Sequence, residues 1–173
     1  EDGTLDITAN TAVTAGEGNS LAGVTSGTVV YLGGVSDTGT NLTADGAIES
    51  ELSAIVAEDS DVVITVTDAV TVNEAKNIAT STTGTVTFSA GISDVKDNYV
   101  SSYTETTSKF DDAIAAGGDP DVIITVTSAV TANEGDLIMS KTTAPGYAVF
   151  NAVTDASTYL VTDASITANL TAI

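Results

Sequence analysis

The sequence has no cysteine, histidine, tryptophan, arginine or glutamine, and these absences remove whole classes of chemistry. Without Cys and His this chain alone supplies no thiol nucleophile, no Ser-His-Asp triad, no Cys/His zinc site and no haem ligand. Positive charge is scarce as well: 4 Lys stand against 24 Asp+Glu, a formal net charge of −20. A chain of that sign is repelled by phosphate backbones and anionic lipid, so nucleic acid is not an expected partner. No apolar run approaches the roughly 18–20 residues of a membrane span, so membrane insertion is not expected either. Glu1-Asp2-Gly3 lacks the basic start and apolar stretch of a signal peptide, and the expectation is a processed chain or a piece of a longer one. Paired carboxylates of the glycosidase kind need only Asp and Glu, but they also need sugar-stacking aromatics, and Trp is missing. An enzyme is therefore not expected.

What remains is suited to building. The 173 residues fit one domain or a short repeat array. Hydrophobic residues at 42% are enough for a core, which argues against disorder despite the charge. Thr, at 30 residues, joins Val and Ile in a strand-favouring palette, while the Ala-rich stretches allow helices. A large acidic excess suits a protein bathed in salt, where screening relieves self-repulsion, so an extracellular location is expected.

The informative feature is an internal repeat. Ile7-Thr8-Ala9-Asn10-Thr11-Ala12-Val13-Thr14 aligns with Ile64-Thr65-Val66-Thr67-Asp68-Ala69-Val70-Thr71 and with Ile124-Thr125-Val126-Thr127-Ser128-Ala129-Val130-Thr131, at offsets of 57 and 60 residues. The register holds through Gly27-Thr28-Val29 against Gly84-Thr85-Val86 and reaches Val35-Ser36-Asp37 against Ile92-Ser93-Asp94. In the third copy it breaks at Ala144-Pro145 and recovers at Val153-Thr154-Asp155. Leu42, Ile48, Leu52 and Ile55 map onto Leu160, Ile166, Leu170 and Ile173 at a constant offset of 118, and Tyr99, Tyr103, Phe110 and Ile114 serve the longer middle unit. The units are 1–60, 61–120 and 121–173.

Each unit reads strand, helix, strand, helix. A β-rich run such as Val62-Val63-Ile64-Thr65-Val66-Thr67 is followed by a T-x-x-E capping box, which recurs as Thr14/Glu17, Thr71/Glu74 and Thr131/Glu134. Leu21, Ile78 and Ile138 mark the inner face of the short helix that follows. Gly27, Gly84 and Gly146 are expected to provide a left-handed exit from it. Thr85-Val86-Thr87-Phe88-Ser89 alternates as a half-buried strand. Asp37, Asp94 and Asp155 then stand where a second helix would be capped, and that helix carries the Leu42/Ile48/Leu52/Ile55 series. Strands joined through a helix run parallel. The expected fold is thus α/β, a solenoid-like repeat array of three β-α-β-α units with short parallel strands. A β-sandwich of tandem immunoglobulin-like modules competes, but a capping box at one fixed place in every unit favours the α/β reading. Ile173 falls on the apolar stripe of its helix with no polar capping repeat after it, so the array is expected either to continue in a longer chain or to be covered by another subunit.

The pattern Ile64-Thr65-Val66-Thr67-Asp68-Ala69 … Gly84-Thr85-Val86-Thr87-Phe88-Ser89 … Ile92-Ser93-Asp94 resembles tandem repeats of very large surface or adhesin-like bacterial proteins, notably cyanobacterial ones, and of marine phage appendage proteins. Those relatives usually continue with T-A-A-N-L, which is Thr38-Gly39-Thr40-Asn41-Leu42 here and has drifted in the other copies. The resemblance covers nearly the whole chain and is a structural rhythm without a catalytic signature. It implies a scaffold on a cell surface or virion, and partners that are further copies or neighbouring structural subunits.

Helix capping explains both the spacing and the recurrence of Glu17, Glu74 and Glu134. The unit junctions Glu58-Asp59-Ser60-Asp61 and Gly117-Gly118-Asp119-Pro120-Asp121 are the candidate metal sites, with Asp59, Asp61, Asp119 and Asp121 as hard oxygen ligands for Ca²⁺. Neither segment matches an EF-hand or a G-G-x-G-x-D repeat, so a solvated acidic turn stands beside the calcium reading. No cofactor is expected to be required, and Ca²⁺ is the one candidate. Asn41-Leu42-Thr43 and Asn169-Leu170-Thr171 match the glycosylation sequon, and Gly33-Gly34 and Gly117-Gly118 are turn glycines without the Lys-Ser/Thr of a phosphate loop.

Overall fold

A computed structural model describes residues 4–44, 46–143, 146–156, 161–162 and 165–166. Leu160, Leu170, Ile173 and the second sequon lie outside them; of the expected last helix, residues 161–162 and 165–166 are described and form two short strands instead. In the first unit the elements are β1 (Ile7–Thr8), α1 (Ala15–Ala22), β2 (Val29–Val30), β3 (Val35–Asp37), α2 (Gly39–Leu42), β4 (Thr43–Ala44), β5 (Ala47–Ile48) and α3 (Ser50–Glu58). The second unit has β6 (Ile64–Val66), α4 (Val72–Ala79), β7 (Val86–Phe88), β8 (Ile92–Asp94), α5 (Lys96–Tyr99), β9 (Val100–Ser102), β10 (Glu105–Thr106) and α6 (Ser108–Gly117). The third has β11 (Ile124–Val130), α7 (Ala132–Met139), β12 (Ala148–Val153), β13 (Val161–Thr162) and β14 (Ser165–Ile166).

The chain is mixed α/β, and its main strand pairs are parallel, as a helical crossover requires. β6 lies between β3 and β7, and β11 lies between β8 and β12. The central strand of each sheet therefore takes one neighbour from its own unit and one from the unit before. The register is the same at both joints: Val35 opposite Ile64 and Asp37 opposite Val66, then Ile92 opposite Ile124 and Asp94 opposite Val126. Ile64, Val66 and Ile124 have no measurable exposure and Val126 only 1%, while the Thr residues that alternate with them are half-buried or exposed, so each central strand puts one face into the core.

All three expected capping boxes are present. Thr14, Thr71 and Thr131 accept from the N–H of Glu17, Glu74 and Glu134, and each Glu accepts from the N–H of its Thr. They start helices of 8 residues each, two turns that persist through packing rather than propensity.

Several expectations are corrected. Gly27, Gly84 and Gly146 do not end helices in a left-handed turn; α1, α4 and α7 are capped by Gly23, Thr80 and Ser140 in right-handed conformation. The three glycines sit where the chain passes against the approach to the first strand. A Cβ would lie 2.6 Å from the Thr4 carbonyl oxygen at Gly27, 2.2 Å from that of Asp61 at Gly84 and 2.4 Å from that of Asp121 at Gly146. The second correction concerns the Leu42/Ile48/Leu52/Ile55 series, which is not one helix. Leu42 closes the single turn α2, Ile48 belongs to the antiparallel hairpin β4–β5, and Leu52 and Ile55 lie on α3. The step of six between Leu42 and Ile48 does not fit a helix, and Gly46 turns the hairpin at φ 83°. The second unit repeats this with α5, the β9–β10 hairpin and α6, and the third places β13 antiparallel to β14. There Tyr99 and Phe110 are fully buried with their rings edge to face at 5.0 Å, whereas Tyr103, expected inside, is exposed on the hairpin.

Candidate functional site

The residues singled out by the sequence gather at the unit boundaries, and most of them hold backbone. Asp37, Asp94 and Asp155 are not the second helix's N-caps; those are Thr38 and Val95 where a helix follows. Each lies at the end of a strand or just beyond it, and its carboxylate joins two segments. Asp37 Oδ2 accepts from Ala15 N–H, the first residue of α1, while Oδ1 accepts from Thr38 N–H and the Asn41 amide at 2.8 and 2.7 Å. Asp94 does the same with Val72, Val95 and Asn98, and Asp155 with Ala132 and Ala156. An acid facing the opening turn of a helix is also favoured by the helix dipole. Burial pushes the Asp37 carboxyl up, but the hydrogen bonds from Asn41, Ala15 and Thr38 outweigh it and hold it below the ordinary range. Asn41, the first residue of a sequon, is thereby tied to Asp37, and the Leu42 that follows it is buried.

Of the four candidate calcium ligands, Asp59 and Asp119 make matching hydrogen bonds to backbone. Asp59 Oδ2 accepts from Tyr31 N–H and Asp119 Oδ2 from Phe88 N–H, both at 2.8 Å. Tyr31 follows β2 and Phe88 ends β7, so in each case a junction acid occupies an outward N–H at an outer strand. Asp61 and Asp121 contribute the carbonyls that graze Gly84 and Gly146. Asp119 is the perturbed member: burial raises its carboxyl, the Phe88 N–H opposes this, and neighbouring Asp121 raises it further. Among the described residues no group of three or more acids is placed to hold a metal ion.

Sequence reasoning missed the polar links across the boundaries. Gly39 N–H donates to Asp68 Oδ1 at 2.6 Å, and Lys96 N–H to Ser128 Oγ at 2.8 Å. The Lys96 ammonium reaches Glu134 at 2.9 Å, and that of Lys141 reaches Asp111 at 2.8 Å. For Lys96, the hydrogen bond to Glu134 raises the ammonium above its usual value. For Glu134, burial raises the carboxyl but the Thr131 N–H and Lys96 pull it below. The aligned Asp68 and Ser128 were the available signal, since both are short acceptors in the same register of the repeat. An acid-lined cleft of about 480 Å³ lies over the start of α1, between Asp37, Glu49 and Glu51. Comparison with family models, curated proteins and solved structures returns no match to this chain.

Proposed function

We propose that this chain is a non-catalytic structural protein of an extracellular surface, part of a bacterial filament, surface layer or adhesin, or of a virion appendage. In this reading its three units stack as a solenoid-like array, and copies of the chain associate with one another. The observation that carries it is the strand exchange at the boundaries, where β3 and β8 complete the sheets of the following units in one register. A unit so built has an accepting side and a donating side, the property that lets repeat proteins extend. The net charge of −20 supports a salty exterior, where screening permits acidic units to sit together. The resemblance to surface and appendage repeats points the same way.

The test is light scattering on a sizing column in seawater-like salt, first with Ca²⁺ and then with EDTA. The expected result is an assembly larger than the monomer. A compact monomer in every buffer would remove self-association. Open-ended growth would favour the cell-surface version, and fixed stoichiometry on a particle the virion version. One observation favours a second reading, a calcium-dependent module that binds a surface carbohydrate or receptor: the neighbouring carboxyls of Asp119 and Asp121. Calorimetric titration with Ca²⁺ tests it, and an absence of both heat and a shift in Tm would remove it.

A further inference from the structure

Two of the outer strand edges among the described residues stand where the interior of the molecule has a joint, and that joint indicates what fits each. The first is the outer side of β1. Ile7 and Ala9 turn their N–H groups to the carbonyls of Thr28 and Val30 on the β2 side, so the backbone groups of Asp6 and Thr8 face away. In the next two units the corresponding side is occupied: Val35 N–H donates to Val63 C=O, and Ile92 N–H to Ile123 C=O, both at 2.8 Å. The side chains agree with the backbone. Val62, Ile64, Val66 and Val70 are at most 2% exposed, as are Val122, Ile124, Val126 and Val130. At the matching places of the first unit Leu5 is 64% exposed, and Ile7, Ala9 and Val13 are only half-buried.

The second edge is residues 153–155. Thr154 N–H donates inward to Val130 C=O at 2.8 Å, as Ser36 does to Val13 and Ser93 to Val70. Val153 and Asp155 therefore face outward, like Val35 and Asp37, which at the first joint meet β6. Val153 is half-buried where Val35 is 2% and Ile92 0% exposed. Val153-Thr154-Asp155 and Ile7-Thr8 thus carry the donating and accepting halves of a joint that the chain already makes twice.

We infer that the occupant of each edge is a second copy of this chain. Residues 153–155 of one copy add as a parallel strand to β1 of the next, with Val153 opposite Ile7 and Thr154 opposite Thr8. Val153 N–H donates to the next copy's Asp6 C=O, and that copy's Asn10 N–H donates to the Asp155 C=O, as Thr67 N–H does to Asp37. The contact is a strand addition between unlike surfaces, so it leaves one edge of each kind free after every step. This inference rests on the self-association reading and names its surfaces.

Two proline variants test it in the full chain. Thr8→Pro and Val153→Pro each remove one outward N–H and no hydrogen bond within the molecule. In seawater-like salt the wild type should assemble, each variant alone should stay monomeric, and an equimolar mixture should stop at a one-to-one dimer. Unchanged Tm and circular dichroism establish folding. Leu5→Glu, which changes only a side chain and leaves the Leu5 carbonyl to accept from the Thr25 hydroxyl, should weaken assembly at least tenfold and carries the test if a proline variant unfolds. Proline variants that assemble as the wild type does, a folded mixture that stays monomeric, or an unaffected Leu5→Glu would each overturn this inference while leaving self-association standing. A wild type that never assembles would overturn both.

Discussion

The joint between the first two units and the joint between the last two share one backbone and, but for Val35 against Ile92, the same paired strand residues; they differ in the side chains that pack around those strands. Both use three residues of parallel pairing in the same register. At the first joint the residue opening α2 is Gly39, packed so tightly that a Cβ would lie 2.3 Å from Val70 Cγ1, and the hairpin is held by Asn77 Nδ2 donating to the Gly46 carbonyl. At the second joint Lys96 stands where Gly39 stood and spans the boundary to Glu134, with Lys141–Asp111 as a further crossing pair. Leu42 is replaced by Tyr99, whose hydroxyl lies 2.9 Å from the Ile92 carbonyl and 3.0 Å from that of Thr125, one on each side of the boundary. Burial pushes that hydroxyl's pKa well up, so it stays a donor. The lesson is that strand exchange defines the joint, and a close-packed glycine or a set of ion pairs can seal it.

The comparison can be broken at its common part. Ile64→Ala and Ile124→Ala each empty a fully buried central-strand site and should cost about 2–5 kcal/mol, by similar amounts, in urea unfolding. A large inequality would mean that side chains, not pairing, dominate one joint. The next effect is specific to the first joint: Gly39→Ala forces a methyl against Val70 and should lose about 1–3 kcal/mol. At the second joint Tyr99→Phe deletes the bridging donor for about 1 kcal/mol in the same assay. Smaller still, Lys96→Met should lower Tm more than Lys141→Met, because Glu134 is 7% exposed and Asp111 44%. Both losses should shrink in high salt, and a salt-independent loss would assign them to packing.

Two aspartates give opposite signs in pH. Asp37 is held low, so its stabilisation is present above the ordinary carboxylate range and is lost as pH falls through its lowered value. Asp37→Asn should therefore destabilise at neutral pH, by about 1–3 kcal/mol, since an amide N–H₂ would meet donors on both sides. Asp119 is held high, so its contribution is complete at low pH and is lost as pH rises through its raised value. Asp119→Asn keeps the acceptor for Phe88 N–H, removes the repulsion with Asp121, and should raise Tm at neutral pH. Thermal scans across pH with both variants check the pair.

Much of this was legible because it is local. A T-x-x-E box specifies a helix start within four residues, and alternation at Val86-Thr87-Phe88 specifies a strand. The hairpins were hidden because Leu42, Ile48, Leu52 and Ile55 are all apolar and the last two steps are helical, although the step of six before Ile48 and the glycine at 46 break the helical reading. The glycines at 27, 84 and 146 were located correctly but explained wrongly, since the carbonyls that crowd them lie more than twenty residues earlier in the chain. The bridging role of Asp37, Asp59 and Asp119 needed the fold, because each holds an N–H at least 22 residues distant.

Those last two carboxylates bear on how a protein of many short strands stays orderly. Outer strands offer vacant N–H groups on which neighbouring molecules can stack sideways into insoluble aggregates. With Asp59 on Tyr31 and Asp119 on Phe88, one donor on each of two outer flanks is already taken by a group that also carries negative charge. Sideways addition then meets both a filled donor and like-charge repulsion, which biases any contact between molecules toward a single direction and disfavours thickening.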